Sequence, residues 1–281
     1  MPVSSILTGN NMKLSLDNVD LDRSGASRVT ATLQGLIDTL ARAGGGTLVV
    51  TPGIYLTGTL VLPSHFTLHL EAGARLLASQ HEADYQTAET QSMAELSRMA
   101  LLYARDAHAV TLSGAGCIDG NATAWFAEQV DAQGYRQPKT HRPRLVVFEG
   151  CEQVRISDIT LYDSPMWTAH LVSCNHVFIR NLTVDNDLTL SNTDALDIDS
   201  CQHVHISDSY FSAADDGICI KTTRKPEDLQ QAIRDYKKIT SNGATKRQTQ
   251  YIGRLMRDID PEPIREFLAR LKGESGAHNA F

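Results

Sequence analysis

Apolar and polar positions alternate in short runs along the first four-fifths of the chain, as in TLVV at 47–50, LVL at 60–62, FTLHL at 66–70 and VTL at 110–112. Period-2 alternation is the signature of a strand with one buried face. The pattern becomes a repeat further on. CEQVRISDITL at 151–161, CNHVFIRNLTV at 174–184 and CQHVHISDSYF at 201–211 superimpose position by position, beginning at 151, 174 and 201 and so 23 and 27 residues apart. Glycines and Asp/Asn clusters separate the runs, as turns require. Strands at this period, with almost no helix between them, predict an all-β parallel β-helix, because a single coil cannot bury its own apolar face and must stack on its neighbours.

The cysteines that open the three copies, Cys151, Cys174 and Cys201, read as an interior ladder of small hydrophobes. A metal or redox site is the alternative. Near the start, Leu33, Leu36, Ile37 and Leu40 fall at helical spacing within 30–43, and Gly44, Gly45 and Gly46 end the run. This predicts one helix that caps the open end of the first coil. Past Pro226 the period changes to about 3.6. Leu229, Ala232, Ile233 and Tyr236 form one stripe, Ile252, Leu255, Met256 and Ile259 a second, and Ile264, Phe267, Leu268 and Leu271 a third. The pattern therefore divides the chain into a β-helical domain, 1–226, and a helical tail of different origin, 227–281.

The chain has 281 residues, 42% apolar and 21% charged, ordinary for a soluble globular protein. No apolar run reaches the roughly 18–20 residues that span a bilayer, so no membrane contact is expected. The net charge of −7 is uneven: residues 227–281 hold ten basic and eight acidic side chains, and all of the negative excess lies before them. Five cysteines without metal spacing, and a first segment without the pattern of a signal peptide, point to free thiols in a reducing cytoplasm.

The candidate chemistry lies in carboxylates. Asp194, in the Asn192–Asp194 segment NTD, precedes the adjacent pair Asp215 and Asp216 by about one coil, so stacking would set three acids on one wall. Hydrolysis of a glycosidic bond needs a proton donor and a second carboxylate, and close acids push their pKa values apart. Neighbours in a strand face opposite ways, so Asp215 and Asp216 share a cleft only at a bend, which Gly217 favours. These acids also fit ordinary turn positions. Asp197 and Asp199 read as solvent-facing or ladder residues, Lys221 as a ligand for an acidic sugar or an exposed lysine, and Trp167 and Tyr162 as sugar platforms or, for Trp167, a packed corner.

With NTD at 192–194 followed by DDGICIK at 215–221, the chain resembles glycoside hydrolase family 28, the polygalacturonases. GGGTLVVTPGIY at 44–55, GAGCIDG at 114–120 and SPMW at 164–167 are similar to other segments of that family, so the resemblance covers roughly 20–225. It implies a right-handed parallel β-helix and inverting hydrolysis of galacturonan or related pectic, acidic oligosaccharides, without cofactor or metal. Asp215 would be the general acid, Asp194 and Asp216 would activate water, and Asn192, Lys221 and Trp167 would bind substrate. The family continues with a Gly-His-Gly coil and an Arg-x-Lys pair, and neither follows here. Residues 229–281, notably KRQTQYIGRLMR at 246–257, resemble instead the bacterial DarP family of ribosome-associated proteins, which implies a fusion near Pro226. Contact between the tail's basic residues and RNA phosphates stands beside the blander reading of a solvated helix face. A calcium-dependent, lyase-like β-helix is a rival for the acidic wall.

Overall fold

The computed structural model describes residues 6–8, 11–86 and 97–223. The three helices expected in the tail lie outside these residues. Contacts within the backbone divide the chain into two compact units, the first comprising 1–91 with 95–221 and the second 92–94 with 222–281. The architecture below is that of the first.

Three sheets wind around one apolar interior, as the repeat predicts. Among the described residues the first sheet has eight strands, the second seven and the third six. All pairing within them is parallel except that of Ile6–Thr8 with Asn11–Ser15. Each repeat copy supplies one strand to the first sheet (Glu152–Ser157, Asn175–Arg180, Gln202–Ser207) and one to the second (Thr160–Tyr162, Thr183–Asp185, Tyr210–Ser212). The third sheet ends with Arg144–Glu149, Ala169–Val172, Leu196–Asp199 and Ile218–Lys221.

Register turns the repeat into ladders. Val154, Val177 and Val204 stand in one column, and Ile156, Ile179 and Ile206 in the next. Leu161, Val184 and Phe211 form a third column from the second sheet. The left-handed positions repeat as well. Gln153, His176 and His203 adopt φ of 59°, 56° and 52°, and Asp158, Asn181 and Asp208 adopt 62°, 50° and 52°. The first three are the second residues of their strands and the last three stand at the bends that follow; all are left-handed, a conformation that Asn and Asp tolerate better than most residues. Asn181 Nδ2 donates to Asp158 Oδ1 at 3.1 Å, which ties consecutive corners together. Cys151 and Cys174 are buried and Cys201 is half-buried, all three as free thiols against backbone carbonyls. They form the packed ladder rather than a redox site.

The helix α1, Thr30–Arg42, buries Leu33, Ile37 and Leu40 and packs against strands Asn11–Ser15, Gly46–Val50 and Leu60–Val61, the position of a cap on the first coil. The glycines after it are needed where they stand. At Gly45, with φ of 120°, a Cβ would come within 2.3 Å of the His65 carbonyl oxygen. No described helix is long and apolar enough to cross a membrane.

Candidate active site

The expected acids meet at one corner, between the second and third sheets. Four successive connections cross it: 120–143, 163–168, 186–195 and 213–217. Backbone hydrogen bonds run from one to the next, from Thr168 N to the Asp194 carbonyl at 2.8 Å and from Ala195 N to the Asp216 carbonyl at 2.9 Å. The wall is therefore built as regularly as the sheets beside it.

Buried side chains fix the connection that carries Asn192 and Asp194. Asn186 accepts from Ser164 N at 2.9 Å and donates to Thr168 Oγ1 at 2.8 Å and to the Thr193 carbonyl at 3.0 Å. Arg142 donates to the Pro165 carbonyl and, at 3.2 Å, to that of Ser191, with its guanidinium over the Phe126 ring. A hairpin of Phe126–Val130 and Arg136–Pro138 lies alongside, and its Arg136 pairs with Asp187 at 2.5 Å. Asn192, half-buried, turns the chain with φ of 55°.

Asp194 is 3% exposed, and Asp215 and Asp216 are exposed. The bend expected at the acid pair is present, and Gly217 enters it without a positive φ. Ligating atoms of Asp194, Asp216 and Cys219 lie within 4.8 Å of one another. Two carboxylates from adjacent coils thus converge on one point. Burial raises the pKa of Asp194, the Lys221 ammonium offsets this, and the Asp215 charge pushes it up again. The Cys219 thiol is pushed up by burial and by a hydrogen bond to Asp216. This trio is the one group of acids and thiols among the described residues spaced closely enough to hold a metal ion. Its cationic position is contested, because Lys221 Nζ already stands 3.4 Å from Asp194 Oδ2.

Lys221 is not an exposed lysine. Its Nζ lies 2.8 Å from Asp197 Oδ1 and 3.7 Å from the centroid of the Trp167 ring. Trp167, 4% exposed, packs between Lys221 and Arg144 and meets the edge of His170 at 5.0 Å. It is the packed corner, with its face covered by cations rather than open to sugar. The solvent-facing reading of Asp197 and Asp199 is overturned: both are 0% exposed, because the third sheet is buried on both faces at this strand. Burial raises Asp197 to about 7 against the pull of Lys221. His170, fully buried, is pushed down to about 4 by burial, although Asp199 Oδ2 lies 3.4 Å from its Nε2.

Pattern reading did not single out Arg142, Arg144, His170 or Asn186. One signal was available, because Arg142 and Arg144 flank Pro143 directly before the apolar run 145–148, and charges at the mouth of a buried strand are paired or bonded.

Parallel coils around one core, with aspartates from two adjacent coils converging on one wall, define a parallel β-helix protein. A family model for glycosyl hydrolases family 28 matches residues 58–239, more than half of the sequence, and the chain belongs to that family. A Vitis vinifera protein named "Probable polygalacturonase" is 32% identical over 187 residues, which cover 64% of this chain and 37% of that protein. The crystal structure of a hyperthermoactive exopolygalacturonase from Thermotoga maritima superimposes with a TM-score of 0.67 at 22% identity, covering 82% of this chain and 59% of that one. The polygalacturonase from Erwinia carotovora gives 0.59 at 19% identity, covering 79% and 60%. These two likenesses show the parallel β-helix.

A second model, for the dual-action ribosomal maturation protein DarP, matches residues 219–281. DarP of Chromobacterium violaceum is 61% identical over 62 residues, 22% of this chain and 34% of that protein. The chain thus spans 37% of the Vitis relative and 34% of the Chromobacterium one. The two models overlap over 219–239, a stretch that contains Pro226.

Proposed function

We propose that the β-helical part hydrolyses glycosidic bonds in pectic, galacturonate-rich oligosaccharides with inversion. Asp215 is the general acid, Asp194 and Asp216 together activate water, and Asn192 orients the sugar. The observation that carries this reading is the convergence of Asp194 and Asp216 from adjacent coils, ligating atoms within 4.8 Å, beside an Asp215 charge that Asp194 feels. On this reading Lys221 acts on the site through its contacts with Asp194 and Asp197. Reducing-end release from oligogalacturonides, with Asp215→Asn in parallel, is the test. Equal rates for the two proteins would sink the reading.

The β-helical domain, 1–226, and the tail, 227–281, are on this reading of different origin. The likeness of residues 219–281 to DarP favours a second, separable role, binding of the tail to ribosomal RNA in the large subunit. Salt-sensitive co-sedimentation with large subunits tests it, and absence of binding at low salt dismisses it. A cytoplasmic location suits both roles and the five free cysteines.

A further inference from the structure

A cleft of about 580 Å3 opens beside the acidic wall, lined by Pro138, Lys139, Thr140, His141, Arg142 and Met166, with Ser97 at its edge. None of these residues is acidic, in a chain whose net charge is −7. Lys139 and His141 are exposed. Among the described residues the Lys139 ammonium bonds a neutral group, the Ala124 carbonyl at 3.3 Å, and pairs with no carboxylate. A cationic recess of this kind in an acidic protein concentrates an anionic ligand.

Its place in the fold says which ligand. The 138–142 segment belongs to the first of the four connections that form the wall, and Asp194 belongs to the third. The two connections are in direct contact, from Arg136 N to the Thr189 carbonyl at 2.7 Å and from Arg142 to the Ser191 carbonyl at 3.2 Å, and Ser191 is three residues, at most about 10 Å of chain, from Asp194, a span of one or two sugar rings. Arg142 fastens the cleft to the site, since the carbonyls it holds are those of Pro165, next to Met166, and Ser191, next to Asn192.

We propose that Lys139, Thr140 and His141 form a subsite for the carboxylate of a uronic-acid ring in the bound oligosaccharide. This rests on the glycosidase reading above and supplies a carboxylate ligand on the described wall. Thr140 offers a hydroxyl donor, Lys139 an ammonium, His141 a ring N–H, and Met166 an apolar floor against a sugar face.

The test is calorimetric titration of the full chain, and of Lys139→Ala, His141→Ala and the double variant, with an oligogalacturonide and with its methyl ester. The double variant is expected to weaken binding of the acid oligomer by about tenfold, the loss of charge-assisted hydrogen bonds. Binding of the neutral ester should change by less than about twofold. Equal loss for both ligands, undiminished binding of the acid oligomer, or no binding by the parent chain would each overturn the subsite. Unchanged far-UV dichroism of the variants separates lost contact from lost fold. Turnover of the same oligomers by the parent chain is scored independently. Charge-selective binding without turnover keeps the subsite and removes the hydrolase, and turnover with binding indifferent to Lys139 and His141 does the reverse.

Discussion

Lys221 Nζ lies 2.8 Å from Asp197 Oδ1, although the register partner of Lys221 is Asp199 and that of Asp197 is Cys219. The lysine turns back along its strand to reach a carboxylate on the preceding coil. There it also stands 3.4 Å from Asp194 and over the face of Trp167. Burial alone pulls an ammonium pKa down, yet that of Lys221 is raised, because Asp197 and Asp194 outweigh the desolvation. One cation therefore serves two buried acids, of which only Asp194 belongs to the acid wall.

Removing that cation should change acid–base behaviour more than binding. In Lys221→Met, Asp194 keeps its burial and its Asp215 neighbour but loses the charge that lowers its pKa. A base with a higher pKa ionises later, so the acid limb of the pH–kcat/KM profile should move to higher pH. KM at the alkaline end should hardly change if Lys221 positions rather than binds. A profile that keeps its acid limb while KM rises throughout would restore Lys221 as a substrate ligand.

The buried groups under the wall should oppose each other in stability. Asp197 is raised from 3.8 to about 7, so the folded state holds a proton that the unfolded state releases between those values, and stability falls as pH rises through this window. His170 is lowered from 6.5 to about 4, so the unfolded state takes up a proton first as pH falls, and stability is lost downward from 6.5 to about 4. The two slopes have opposite signs over the shared range. Urea midpoints between pH 4 and 6.5 should rise with pH in Asp197→Asn and fall with pH in His170→Gln, each by up to about 1.4 kcal/mol per pH unit relative to the parent. Parallel curves for all three proteins would contradict the assignment.

The coils were legible in the sequence because a β-helix writes its period directly. The Val154, Val177 and Val204 column and the cysteine ladder follow from spacing alone. The acids were legible for a related reason: Asp194 and Asp216 are one coil apart, and stacking does the rest. The burial of Asp197 and Asp199 was not legible. Alternation along LDID at 196–199 marks one face as apolar, but whether the other meets water depends on what lies across it, and here both faces are buried. Nor does a pattern show that Lys221 bends back toward Asp197, since a long side chain reaches residues outside its register.

Asn186 should be the most costly polar side chain to truncate on the wall. It is 5% exposed, and its amide makes three hydrogen bonds, to Ser164, Thr168 and Thr193. Asn186→Ala leaves the Ser164 N–H and the Thr193 carbonyl buried without these partners and should cost about 3 kcal/mol in chemical denaturation. Because Thr193 precedes Asp194, kcat should drop as well, even at temperatures where the variant remains folded. A loss of stability with kcat intact would mean that Asp194 is held by the backbone ladder alone.

The left-handed positions make a prediction of the opposite sign. Gln153 is exposed, has φ of 59° as the second residue of the strand Glu152–Ser157, and shares that position with His176 and His203 in their strands. A glutamine pays for that conformation through its Cβ, with no hydrogen bond of the side chain described to offset it, whereas glycine does not. Glycine also loses more chain entropy on folding, which takes back part of the gain. Gln153→Gly should therefore stabilise the protein by up to about 1 kcal/mol, and Gln153→Val, with its branched Cβ, should destabilise it by a similar amount or more. Thermal melts of the three proteins check this. If glycine and valine shift the midpoint in the same direction, the strain at this position is being relieved elsewhere in the coil and the column is not held by its backbone conformation.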